Sequence, residues 1–384
     1  MAREDGGTPV SERRPSDGEG KLKRRIVYGA VAALVGIVLA IAVAWPALTL
    51  SLALAVPSAE RVLTPFASEP TRVEVSVAVP DGWLAADLYR PPRPRSVLVL
   101  VHGLSRPGRQ HPELTRLARL LAEREIAVLV PHFEGMAAFT LSGRETVEVA
   151  AALEHARGLG VPVGIAGFSF GAGPALLAAA SARDVRVVGS FGGYADLRHV
   201  IRYITTGVHE LDGRRYVQAP EPYNRWKLLA LLGGFLEAPA ERAALEAVVA
   251  RRLGDPAADT ATLEGRLGPA AAAMLALARA RDDAEVERGL AALPSPARDA
   301  LDALSALAAA RRLNGRLVIA HGADDASIPF TESLRLAAAA GDRARVAVLR
   351  TFHHTGPRAL WTGVVDRAAD GWDLFRVVDA LLTS

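Results

Sequence analysis

Three short apolar runs constrain the fold of this chain more than any other feature. They begin at Ser96 (SVLVLVHG), Ile126 (IAVLVPHF) and Val161 (VPVGIAGFS). A strand with one wet face alternates apolar and polar residues, whereas an uninterrupted apolar run has both faces covered, as in a parallel sheet. Between the runs, residues 112–124 and 143–158 place apolar side chains at helical spacings of three and four. A strand at 185–193 and, much later, strands at 316–325 and 345–350 with a helix at 371–382 continue the pattern. At the front, residues 72–80 alternate, Asp81-Gly82 signals a hairpin, and 83–91 are its partner. The expectation is an α/β fold: a doubly wound, mostly parallel sheet with an antiparallel hairpin at its start, built from 72–196 and 312–384. Residues 197–311 interrupt it without a strand pattern. Helices at 240–253, 269–281 and 297–312, broken at Gly254-Asp255-Pro256 and Pro294-Ser295-Pro296, mark an inserted all-helical cap.

Composition excludes several function classes. The 384 residues include no cysteine, which rules out disulfides, thiolate metal sites and a cysteine nucleophile. The formal net charge is only +3, and residues 1–25 carry +2 of it. The rest is nearly neutral, with no basic stripe, so no nucleic-acid partner is expected. Arginine far outnumbers lysine; the three lysines are Lys21, Lys23 and Lys227.

Residues 1–25 are polar, lack a hydrophobic period and read as a disordered tail ending in Lys21, Lys23, Arg24 and Arg25. Residues 26–45 follow without a charge. A bilayer core of about 30 Å takes roughly 20 apolar residues in a helix, so 26–57 read as a transmembrane anchor. The run exceeds the apolar region of an ordinary signal peptide, although small residues at Ala53–Ala55 leave cleavage open. Basic residues before the span predict a cytoplasmic amino terminus, a single pass, and a large carboxy-terminal part outside the cytoplasm.

The sharpest local motif is Gly167-Phe168-Ser169-Phe170-Gly171, where a strand meets a helix. Such a pentapeptide makes a tight turn that lifts the Ser169 hydroxyl off the sheet edge, and the helix start adds positive potential for an oxyanion. The alternative is an ordinary Gly-Ser surface turn. Val101-His102-Gly103-Leu104 closes an earlier strand beside it, offering the Leu104 N–H to pair with that of Phe170, with His102 read as a loop-former. After strand 316–320 comes His321-Gly322-Ala323-Asp324-Asp325, where Asp325 is the favoured acid, Asp324 the alternate and Asp196 a third candidate. An Asx turn would explain the same aspartates structurally. His353-His354 follows the last strand; His354 is the favoured base and His353 the alternate. No ligand spacing such as H-E-x-x-H supports a metal, and no cofactor is expected.

The ordered set of GFSFG elbow, HGL loop, HGADDASIP loop and late histidine resembles the α/β-hydrolase superfamily, on its serine esterase and lipase-like branch. The resemblance covers roughly 72–195 and 312–384. It implies a Ser-His-Asp triad of Ser169, His354 and Asp325, with Leu104 and Phe170 as oxyanion donors. It further implies acyl transfer through an acyl-enzyme, and serine at the elbow sets the chain apart from the aspartate-using dehalogenase and epoxide-hydrolase branches. The cap matches no subfamily pattern. The expected substrate is a small-molecule or lipid-like ester or thioester with a hydrophobic acyl group. The competing expectations are a catalytically inactive hydrolase fold serving as a binding or scaffold protein, and an anchored interaction protein acting through its tail.

Overall fold

The computed structural model describes residues 17–60, 69–140, 143–350, 352–353, 356–357 and 364–383. They divide into two units, Met1–Pro46 and Ala47–Ser384. In the first, every residue from 24 to 43 is exposed. The stretch Arg24–Ala55 is long and apolar enough to cross a membrane, a property it shares with a signal sequence.

The second unit is built on an eight-stranded sheet of β1 (Thr71–Val79), β2 (Gly82–Arg90), β3 (Ser96–Val101), β4 (Ile126–Pro131), β5 (Val163–Phe168), β6 (Val185–Phe191), β9 (Arg316–Gly322) and β10 (Ala344–Leu349). Their spatial order is β1-β2-β4-β3-β5-β6-β9-β10. β2 runs antiparallel to both β1 and β4, and all other neighbours are parallel. The uninterrupted apolar runs occupy the middle, as expected of strands covered on both faces. Along β3, Val97, Val99 and Val101 join one core cluster and Leu98 and Leu100 the other. The first cluster takes helices Glu145–Arg157 and Ala172–Ser181; the second takes Pro112–Ala122 and Val364–Leu382.

The second cluster also receives the end of the helix Asp17–Ala55, through Ala47, Leu50 and Ala53. The last carbonyls of a helix lack intrahelical donors. Here Arg116 supplies one, donating Nη2–H to the Ala53 carbonyl (2.5 Å) and Nε–H to Glu60 (2.8 Å). Arg124 donates to the Thr49 hydroxyl at 3.0 Å.

Residues 197–311 are mostly helical, with two departures from expectation. A hairpin of β7 (Val208–Leu211) and β8 (Arg214–Val217) lies among the helices. Its turn is Asp212-Gly213, both at positive φ (49° and 76°), the backbone that an Asp-Gly pair adopts readily. The helix expected over 297–312 is broken into Ser295–Ala303 and Leu307–Arg312. The Ala306 and Leu307 N–H groups bond to the Ala195 carbonyl instead of to the preceding turn.

One buried carboxylate ties the exit of β6 to the helix Phe330–Ala340. Glu332 is 0% exposed and accepts the N–H groups of Ala195 (3.0 Å) and Asp196 (2.8 Å), while its other oxygen meets His199 Nδ1 and Arg335 Nε. Removing it strands two amides in the interior. Glu332→Ala is expected to cost about 3 kcal/mol, read as a lowered urea midpoint at unchanged slope.

Candidate active site

The strand order sets where a site can form. After β3 the chain moves to one side to make β4, then crosses to the other side to make β5. Open α/β sheets bind ligands at such a switch point, outside the carboxyl ends of the strands. The loop His102-Gly103-Leu104 leaves β3 there, and Ser169 leaves β5.

Ser169 has φ of 51°, in the left-handed region that a non-glycine residue occupies only when its surroundings hold it. The two glycines of the pentapeptide are what allow this. A Cβ on Gly167 would lie 2.4 Å from the Gly171 carbonyl oxygen, and one on Gly171 would lie 2.2 Å from the His102 carbonyl oxygen. Gly103 also comes close from the other loop, since a Cβ on it would sit 2.9 Å from the Phe168 carbonyl oxygen and 3.0 Å from Ser169 Cβ. A single 3-10 turn, Ser169–Gly171, leads into the helix Ala172–Ser181. Phe170 therefore sits where a helix leaves its first amides unbonded. The Leu104 N–H has no backbone acceptor among the described residues.

His102 is buried and occupied structurally. Its Nδ1–H donates to the Gly103 carbonyl (2.8 Å), and its Nε2 accepts the Phe133 N–H (3.0 Å), which fixes the neutral tautomer. Burial pushes its pKa down to about 4. This agrees with its reading as a loop-former.

The loop after β9 separates the two candidate acids. Asp324 is exposed, whereas Asp325 is 1% exposed and lines the same cavity as Ser169. Asp325 Oδ1 accepts the N–H groups of Ser327 (2.7 Å) and Ile328 (3.1 Å), so the Asx turn is real and orients the carboxylate. Its Oδ2 lies 3.4 Å from His321 Nε2, but that nitrogen donates to the Ile328 carbonyl at 2.9 Å, and His321 Nδ1 meets the Ser333 hydroxyl at 2.7 Å. His321 is thus a second structural histidine. The inserted segment holds this loop in place. Tyr203 and Gln218 donate to the Asp325 carbonyl, and the Glu221 N–H and Asn224 amide donate to that of Ala326. Asp196, the third candidate, caps the helix Leu197–Thr206 by accepting the Arg198 N–H.

His354 lies outside the described residues. His353 belongs to the short strand Phe352–His353, paired with Gly356–Pro357, which brackets position 354 in the chain. The elements that carry Ser169, Leu104, Phe170 and Asp325 converge on one cavity of about 480 Å³, within the range of small-molecule sites. Its walls are mainly apolar, with Ile201, Ile204, Leu228 and Leu231 from the inserted helices among them. The sequence reading missed Lys227, which also lines this cavity, its ammonium 4.3 Å from the Tyr223 ring centroid and 5.6 Å from that of Phe139. Burial lowers its pKa. The signal for it was rarity, since it is the one lysine beyond the amino-terminal tail. Among the described residues no three acids and histidines gather as metal ligands.

A single reversed strand, β2, in an otherwise parallel eight-stranded sheet, with a strained serine elbow after β5, defines the α/β-hydrolase fold. No protein-family model and no curated protein matches the chain. Solved structures similar to it include an acylaminoacyl peptidase of Pyrococcus horikoshii (12% identity, TM-score 0.44, covering 81% of this chain and 40% of that one). The esterase domain of a Rhodothermus marinus protein is another (15%, TM-score 0.45, 82% and 97%). A puromycin-hydrolyzing peptidase of Mycobacterium tuberculosis is a third (17%, TM-score 0.46, 82% and 38%). The chain therefore spans about two-fifths of the length of the two peptidases and nearly all of the esterase domain.

The neutral His102 gives a pH dependence of stability. Its folded pKa of about 4 lies below the ordinary histidine value of 6.5. The unfolded chain takes up the proton first, so stability present above pH 6.5 is lost as pH falls toward 4. At 1.36 kcal/mol per unit the loss reaches about 3 kcal/mol. Urea unfolding at pH 7 and pH 4.5 should show a smaller acid-induced loss in His102→Asn than in the parent chain.

Proposed function

We propose that the chain is a membrane-anchored serine hydrolase that cleaves esters or thioesters of hydrophobic acyl groups through an acyl-enzyme. The observation that carries this reading is Ser169 at φ 51° on the crest between β5 and its helix, opening into a mainly apolar cavity that it shares with the buried Asp325.

In the proposed mechanism His354 takes the Ser169 hydroxyl proton as Oγ attacks the substrate carbonyl carbon. The C–Oγ bond forms, and the carbonyl π pair moves to oxygen. Asp325 orients the imidazole and stabilises its charged form. The oxyanion accepts the Leu104 and Phe170 N–H groups, each worth about 3 kcal/mol in comparable sites. Collapse expels the alcohol or thiol, which takes the proton from His354. Water, deprotonated by the same histidine, then releases the carboxylic acid and restores Ser169.

A fluorophosphonate probe should label the parent chain and leave Ser169→Ala unlabelled, with ester hydrolysis lost by at least a thousandfold. Labelling of Ser169→Ala to the parent level would remove Ser169 from this role. A folded parent chain that neither labels nor hydrolyses esters would favour an inactive binding protein. His354→Ala should abolish activity and His353→Ala retain most of it; the reverse result would exchange the two. Lys21, Lys23, Arg24 and Arg25 at the start of the span support an orientation with the hydrolase domain outside the cytoplasm. A carboxy-terminal alkaline phosphatase fusion should then be active, and a fluorescent protein that matures only in the cytoplasm should stay dark.

A further inference from the structure

The cavity at Ser169 is walled by two groups of apolar side chains. One comes from the inserted helices. The other includes Leu117 from the helix Pro112–Ala122, Val377 and Leu381 from Val364–Leu382, and Leu50 and Leu54 from the last turns of the N-terminal helix. Phe168 and Leu349, at the ends of β5 and β10, belong to the same lining.

We propose that the end of the N-terminal helix is one wall of the acyl-binding site, and that the occupant is the acyl chain of a long-chain ester resident in the bilayer. The inference rests on Ser169 being the nucleophile and adds what that nucleophile acts upon. Three observations carry it. Leu50 and Leu54 line the cavity that contains Ser169. Their helix end is fixed to the body by the Arg116 bonds to Ala53 and Glu60 and by the Arg124 bond to Thr49, so the wall is built rather than incidental. In the sequence, Leu54 follows Trp45, the last residue of the apolar run 26–45, by nine positions. A saturated chain makes only apolar contacts, and each methylene it buries strengthens binding by roughly fourfold. A wall of leucine and valine beside the nucleophile therefore selects for chain length and for little else.

The test uses the full chain in phosphatidylcholine vesicles. The readout is the ratio of kcat/KM for a palmitoyl ester to that for the butyryl ester of the same alcohol. Leu54→Trp fills the wall and should lower this ratio at least tenfold while fluorophosphonate labelling of Ser169 persists. An unchanged ratio, or a parallel fall for both esters, overturns the proposal. If the tryptophan protein does not label, Leu54→Phe decides by the same ratio. A parent chain that does not label at all sinks the hydrolase reading itself, a separate outcome. Faster hydrolysis of a monoacylglycerol within the vesicles than of a palmitoyl thioester in solution supports the bilayer as the source. Activity confined to the soluble thioester overturns it.

Discussion

The ends of β3 and β5 meet at one backbone contact, and the geometry of the site depends on it. The Gly171 Cα rests against the His102 carbonyl so closely that no side chain fits between them. His102 in turn holds its neighbour Gly103 on one ring nitrogen and the Phe133 amide, just past β4, on the other. A neutral imidazole thus fastens two loops while a glycine fastens the third. The left-handed backbone at Ser169 is held by these contacts, since a serine alone would not stay there. Charge on that imidazole would cost one of its two bonds.

A second set of contacts acts from outside the sheet. The acid loop after β9 is pinned by Tyr203, Gln218, Glu221 and Asn224, all from the inserted segment. The insertion therefore forms part of the frame that orients Asp325, in addition to covering the cavity. Glu332 links the same region to the exit of β6. These bonds join residues more than a hundred positions apart and add to the local turn that Asp325 makes with Ser327 and Ile328.

How much was legible follows from the kind of signal involved. The middle strands of the sheet were readable because burial on both faces leaves an uninterrupted apolar run, and the edge strands because partial exposure leaves an alternation. The elbow was readable because its strain requires glycines at fixed offsets. The β7–β8 hairpin was not read, since four-residue strands are too short to establish a period, although Asp212-Gly213 marked its turn. The choice between Asp324 and Asp325 needed burial, which adjacent identical residues cannot encode. Glu332 and Lys227 were missed because their roles depend on partners distant in sequence. The end of the N-terminal helix read as more anchor, because the apolar residues that line a protein groove and those that face lipid are of the same type.

The scarcity of lysine has a chemical consequence of its own. The body of the protein carries a single primary amine side chain, Lys227, which lines the cavity at Ser169 beside Tyr223 and Phe139. Burial lowers its pKa, so more of it is in the unprotonated form at a given pH than an exposed lysine would be. Among lysine side chains, an acylating reagent thus meets one amine that lines the cavity, far in sequence from Lys21 and Lys23. That amine is a built-in attachment point for a spectroscopic reporter, positioned by the fold without any engineered cysteine.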